Sequence, residues 1–446
     1  MSKNVEIVQY LVSGGDGGNT NVKLSFLNNS GNIQDIIIPT IIAQAPAHIS
    51  DLGSSKAVKP TDNIHILLKP IDTDGFIKGG YYFVGLAAKL SENPTEAQDS
   101  IHKHDSQLHM ITLITAEAIA ALENGLEGTV VAPPSYGLPV ELVKSGASAS
   151  FLNRLKGSFE LTFIDGFYKG KTITIKHEVD ENRPVRDYIH AEATKAGLGL
   201  GFDIKNFELE ENEVDESIVD PDEPLIINDP GGVTCDIAVF EANGINPTLS
   251  TTYIEVPKEF EQANLGKYVG KKVGGNHVVE TLQELVNKAI IDVHNENNLP
   301  IFSDSFFRDR AEFIDIVLKP YTEALVKGEE QPKIVRSFGY VKDLDLTDIV
   351  VPVLDEYGEM IFYLNMFTRQ KASTIQNNMI AGGGVILGYK VLRERQQLPN
   401  GSKLYELPPK DKLGISIYIN SRGYLVESFL KNPEIVEKLK KKPVKK

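Results

Sequence analysis

Tryptophan is absent from this 446-residue chain, and cysteine occurs once, at Cys235. A single cysteine excludes an internal disulfide and fits a reducing compartment, so the expected location is the cytoplasm. Cys235 sits in an apolar stretch with no histidine beside it, which reads as a small buried hydrophobe rather than a nucleophile. Long apolar runs are also missing. The strongest, Ile36 to Ala43, is short and contains Pro39, so no membrane span is expected. Met1 to Tyr10 has no basic start followed by an apolar stretch, so it does not read as a signal peptide. No His-Glu-x-x-His, no cysteine pair and no metal-ligand cluster is legible among the nine histidines, which argues against a zinc protein. Positive charge is in deficit. With 46 basic against 61 acidic residues the net charge is -15, so the chain as a whole should repel DNA.

Charge is concentrated in two places. Glu208 to Glu223 holds nine acids in sixteen residues and reads as a solvated loop. Lys438 to Lys446 holds six lysines and reads as a solvated tail closing a helix.

The informative content is glycine. Asp16-Gly17-Gly18-Asn19-Thr20-Asn21-Val22-Lys23 and Asp229-Pro230-Gly231-Gly232-Val233-Thr234-Cys235-Asp236 each place an aspartate ahead of glycines and small polar residues. Apolar runs flank both, Ile7 to Val12 and Val22 to Phe26 around the first, Leu225 to Ile227 and Ile237 to Phe240 around the second. That is the pattern of a tight β-hairpin. Without a Cβ, such a turn lets main-chain N–H groups approach an anion. An aspartate beside it suits Mg²⁺ held through water. A third cluster, Gly382-Gly383-Gly384, lies between the apolar Met379-Ile380 and a helical Val385 to Glu394, an anion site with a flat surface for a planar base.

The rest of the pattern is mixed α/β. The first half predicts strands to about Ile42, then Asn63–Leu68, Tyr81–Val84, Val130–Val131, Phe159–Phe163 and Lys171–His177. It predicts helices over Gln107–Glu123, stopped at Asn124-Gly125, and Ser148–Leu155. The second half predicts helices over Asn276–Asn295 and Asp304–Val326, and strands near Ile334–Phe338, Ile349–Leu354 and Ile361–Phe367. Two motifs are set aside. Gly166 to Thr172 looks like a P-loop but is one residue short and sits between strands. Gly197-Leu198-Gly199-Leu200-Gly201 has the wrong spacing for a dinucleotide fingerprint, and no strand is expected before it.

The two hairpins and the late glycine turn, in this order, resemble the actin, Hsp70 and sugar-kinase superfamily, and within it the bacterial actin-like proteins of plasmid segregation, the ParM type. Asp16 to Lys23 is similar to the first phosphate motif of that family. Asp229 to Asp236 is similar to the second, with Pro230 in place of the usual aliphatic residue. Gly382 to Gly384 is similar to the adenosine motif. Pro39-Thr40-Ile41-Ile42-Ala43 and Ser421-Arg422-Gly423-Tyr424-Leu425 match further stretches, the latter as part of the final connecting helix.

The resemblance implies an α/β fold of duplicated ribonuclease-H-like domains, two lobes around a nucleotide cleft. The first lobe would take residues 1–228, with 414–446 returning to it, and the second 229–413. It implies an ATPase, with GTP as the other candidate nucleotide. Gly17, Gly18, Asn19, Thr20, Asn21, Lys23, Gly231, Gly232, Val233, Thr234, Gly382, Gly383 and Gly384 would bind the nucleotide. Asp16 and Asp229 would be catalytic and hold Mg²⁺, and Glu181, in an Asn-Arg-Pro context, would position water. It implies self-assembly into filaments and a ParR-like DNA-binding adaptor at a centromere-like plasmid site, with no direct nucleic-acid contact and no membrane. A sugar or small-metabolite kinase on the same fold is the alternative, but no catalytic aspartate motif for it is legible. An Hsp70-like chaperone would need a peptide-binding domain beyond Lys446, and an inactive structural relative would be expected to have lost one of these aspartates or glycines.

Overall fold

A computed structural model describes residues 8–48, 57–97, 102–214, 216–220, 223–242, 244–262, 266–301, 303, 305–307, 310–329, 331–408 and 410–441. The chain divides into two compact units, Met1–Glu223 with Tyr418–Lys446, and Pro224–Ile417.

The first unit is organised by a five-stranded sheet in the order Ile189–Ala191, Tyr136–Leu138, Ser13–Gly17, Asn21–Leu27, Ile33–Pro39. The first two junctions are parallel and the last two antiparallel. A helix at Gln107–Glu123, with the bounds expected from sequence, is buried from Leu108 through Ala121. An element apolar nearly all round belongs in a core. An eight-stranded sheet, built on Ile64–Ile71 paired with Gly157–Asp165 and Gly80–Val84, completes the unit.

This core contains charge. Glu117 of the helix accepts from the Tyr136 hydroxyl and lies 2.7 Å from His177 Nε2, while His177 Nδ1 lies 2.8 Å from the Leu155 carbonyl. Both ring nitrogens face acceptors. The imidazole therefore carries both protons and forms a buried ion pair with Glu117, the two side chains having no solvent exposure.

The first hairpin differs from expectation in its entering strand. That strand is Ser13–Gly17, not the apolar run ahead of it. The reason lies on its reverse side. A Cβ at Gly14 would come 2.2 Å from the Leu425 nitrogen, and one at Gly15 would come 2.6 Å from Leu113. Helix Ile419–Lys431 thus lies directly on the strand backbone, with a Ser25–Ser421 hydroxyl contact of 2.9 Å and an Arg422–Asp35 ion pair at its edge. Gly197, Gly199 and Gly201 belong to a short helix, Ala196–Gly201, with a three-residue strand, Ile189–Ala191, ahead of it. Any Cβ on these glycines would collide with Ile218, Ile419 or Val219, so they serve close packing. Gly166 to Lys171 is the turn between strands Gly157–Asp165 and Thr172–His177.

The acidic stretch is not a loop throughout. Glu208–Glu211 pairs with Phe202–Lys205, and Glu216–Val219 forms one helical turn anchored by buried Ile218. Residues 215, 221 and 222 of it lie outside the described residues, as do 442–446 of the lysine tail. Lys438 and Lys440 close a helix at Pro433–Lys440.

In the second unit, Leu225–Pro230 pairs antiparallel with Cys235–Glu241 and parallel with Asn377–Ile380. Helices Gly275–Glu296 and Val385–Glu394 appear as expected. The segment expected as a helix from Asp304 is helical from Arg310 to Val326, with a π-type stretch at Ile314–Leu318; residue 304 is not described. The strands expected at Ile349–Leu354 and Ile361–Phe367 are instead one helix, Thr347–Lys371. Six of its nine buried positions, Val350, Leu354, Tyr357, Ile361, Leu364 and Thr368, follow one another by four and three residues, which is a helical stripe. β-Branched residues and Pro352 disguise it as strand. Among the described residues, no helix is long and apolar enough to cross a membrane.

Candidate functional site

The first unit presents its hairpin as a braced turn. Asp16 and Lys23 face each other across the strands and form a 2.9 Å ion pair. Burial alone would push the Asp16 carboxyl up, but the Lys23 and Lys103 ammoniums hold it below its ordinary value. Thr40, from the Pro-Thr-Ile-Ile-Ala stretch, donates from its hydroxyl to the Gly18 carbonyl at 2.6 Å, and its N–H meets the Thr20 carbonyl at 3.0 Å. That fixes the turn from outside. Asn19 is met by His109 Nε2 at 2.9 Å.

Three side chains here carry no signal in the sequence. His109 opens the Gln107–Glu123 helix. Lys103 and Glu192 form an ion pair that is almost wholly buried. Glu192 follows Ile189–Ala191, the strand two places along the sheet from Ser13–Gly17, and its N–H bonds the Leu138 carbonyl at 2.7 Å. The next residue, Ala193, adopts φ +72, a region that favours glycine. Backbone strain of this kind persists where the surroundings over-determine it. Glu181 has a different setting. Its side chain is 82% exposed and pairs with Lys156 at 2.9 Å.

The second unit brings its two glycine motifs together. Gly231 N–H bonds the Thr234 carbonyl at 2.7 Å and closes the hairpin tip. Asp229 is buried, and a Cβ on Gly382 would stand 1.9 Å from its Oδ1. Gly382 also has φ +136, so only glycine fits there. Gly384 N–H bonds the Pro230 carbonyl at 2.7 Å, tying turn to hairpin. Gly383 is different: a Cβ there would meet only Ile417, at 3.8 Å. Helix Gly275–Glu296 begins on the same hairpin, with Gly275 and Asn276 N–H groups on the Gly231 and Gly232 carbonyls. Asp236, opposite Asp229, accepts from the Thr234 and Thr252 hydroxyls at 2.9 and 2.5 Å. Cys235 is fully buried and burial pushes its thiol well up, which bears out the inert reading.

Among the described residues no three His, Cys, Asp or Glu side chains gather into a metal cage. Buried single carboxylates such as Asp16 and Asp229 suit Mg²⁺, which keeps its waters and binds through one or two carboxylates and a ligand's phosphates.

Two hairpins, Asp-Gly-Gly in the first unit and Asp-Pro-Gly-Gly in the second, a glycine turn locked to the second of them and this sheet order define an actin-like fold. The chain is similar in structure to Bacillus thuringiensis ParM with ATP, at 28% identity over 95% of this chain and 100% of that one, with a TM-score of 0.73. Bacillus thuringiensis ParM in apo form matches at 29% identity over 96% of this chain and 98% of that one, TM-score 0.67. The actin-like protein Alp7A, at 17% identity over 95% of this chain and 96% of that one, TM-score 0.59, shares the fold. The ParM-type resemblance carried by the motifs is thereby borne out. No protein-family model and no curated protein sequence matches the chain.

Proposed function

We propose that this chain is a nucleotide-dependent, filament-forming ATPase of plasmid segregation that works through a DNA-binding adaptor. The observation that supports it best is the second unit's lock between Asp229, Gly382 and Pro230, which joins a phosphate-type hairpin to a base-type turn, together with similarity to a ParM bearing ATP over 95% of the chain. The hairpin N–H groups and Lys23 would balance phosphate charge, and a buried carboxylate would orient water. Mg²⁺ bound with the nucleotide, held by Asp16 and Asp229 through water, would neutralise charge developing on the phosphates. For the water-orienting role, Glu192 at the sheet edge has a burial that Glu181 lacks. Phosphate release by Glu192→Gln and Glu181→Ala decides between them: the one that slows turnover is the group used.

Gly383→Val tests the base side. Because a Cβ at this position would make only an ordinary contact with Ile417, the variant should fold normally and lose nucleotide affinity by steric blockage. A fluorescent-nucleotide titration giving wild-type affinity would remove this turn from the site.

Assembly is tested by light scattering and pelleting across a concentration series with ATP, GTP, ADP and no nucleotide. Polymer should appear with a triphosphate above a critical concentration, since a head-to-tail contact that does not close into a ring must propagate. An ATP-hydrolysing protein that stays monomeric throughout would sink the filament reading. Turnover stimulated by a sugar in the same tubes would promote a kinase instead.

A further inference from the structure

His109 is buried at the first turn of the Gln107–Glu123 helix, yet the chemistry described so far leaves it without a task. Its ring is gripped from both sides. Nδ1 lies 2.8 Å from the Ser106 hydroxyl and Nε2 lies 2.9 Å from the side-chain oxygen of Asn19. An amide oxygen only accepts, so Nε2 carries the proton and Nδ1 takes the Ser106 O–H. Ser106 is itself fixed as the helix N-cap, accepting from the His109 backbone N–H. A rigid helix end thus dictates which way the Asn19 amide faces.

We propose that His109, clamped by Ser106, is a positioning residue that turns the Asn19 carboxamide so that its NH₂ end, not its oxygen, is presented to the phosphate chain of the nucleotide. The inference rests on the nucleotide-binding reading above. Its physical basis is simple: an asparagine free to flip offers an anion a repelling oxygen half of the time, and holding the oxygen removes that state. Asn19 stands at the tip of the first hairpin directly after Gly17 and Gly18, and a Cβ on Gly17 would be 3.9 Å from the His109 ring. The imidazole must stay neutral to accept from Ser106. Burial and the Lys103 ammonium ensure it, lowering its pKa to about 3 against the opposing pull of Asp16.

The test compares full-length wild type with His109→Leu, His109→Gln, Asn19→Ala and the double variant His109→Leu/Asn19→Ala, by fluorescent-ATP titration and by steady-state phosphate release. Asn19→Ala should weaken ATP binding about tenfold, the value of one hydrogen bond to a charged group, and His109→Leu about twofold, the share of correctly turned Asn19 that is lost, each in KM more than in kcat. His109→Gln, whose amide nitrogen can reach the place of Nε2, should restore most of it. The double variant should lose no more than Asn19→Ala alone. Wild-type affinity in a folded His109→Leu, or additive losses in the double variant, would overturn the proposal while leaving nucleotide binding intact. A wild-type protein that binds no nucleotide would instead remove the reading on which it rests.

Discussion

Asp229→Ala is expected to bind nucleotide close to wild-type affinity and to hydrolyse it roughly a hundredfold more slowly, the usual cost of losing one electrostatic contact to a transition state. The fold should survive. The Asp229 carboxylate lies in the space that a Cβ on Gly382 would need, and truncation empties that space without breaking the Gly384–Pro230 bond that locks the turn. Removing a buried carboxylate also relieves a desolvation cost. If the chain polymerises as proposed and hydrolysis weakens the polymer, filaments of the variant should outlast those of wild type. Single-turnover phosphate release, run beside a binding titration, separates the two effects. Hydrolysis at the wild-type rate would take Asp229 out of the chemistry and undermine the ATPase proposal.

The second large effect concerns stability. Glu117→Ala leaves the His177 imidazolium and the Tyr136 hydroxyl without their acceptor in a site closed to water, and breaking a buried pair from one side costs about 3–5 kcal/mol. Replacing both charged partners, Glu117→Leu with His177→Phe, should recover much of that loss. The pH dependence has a definite sign. Burial alone would lower the His177 pKa, but the Glu117 carboxylate and the hydrogen bonds raise it above 6.5. Its contribution is therefore complete below about 6.5 and disappears as pH rises through the raised value. His109 and His190 act oppositely. Burial holds both at about 3, so the unfolded chain takes up protons that the fold refuses, and each weakens stability as pH falls below 6.5, by about 1.4 kcal/mol per pH unit. Urea midpoints across pH should trace a dome. The double variant should lose only its alkaline side; a dome unchanged in the double variant would mean that the pair is not ionised.

The hairpins were legible because glycine beside aspartate has few uses in a strand, and their order along the chain specified the fold class. The Gln107–Glu123 helix was legible to the residue, framed by Ser106 at one end and Asn124-Gly125 at the other. Lys103, His109 and Glu192 were not legible. Each sits in an unremarkable local sequence, and they come together only through strand order and a helix start, which are non-local facts. The long helix Thr347–Lys371 was hidden for a different reason. Its Ile-Val-Val-Pro-Val opening has strand propensity, and only the four-three spacing over the whole segment, enforced by packing, overrides it.

Helix Ile419–Lys431 lies on the strand that carries Asp16, with the Ser25–Ser421 hydroxyl contact joining it to the hairpin across 396 residues of chain. In time, this means that the first unit, begun earliest on the ribosome, cannot be finished until the second has been made in full. Pro224–Ile417 is continuous and can close on itself as it emerges. The first hairpin must wait, its Gly14 backbone uncovered, for a helix that arrives only after the whole second unit.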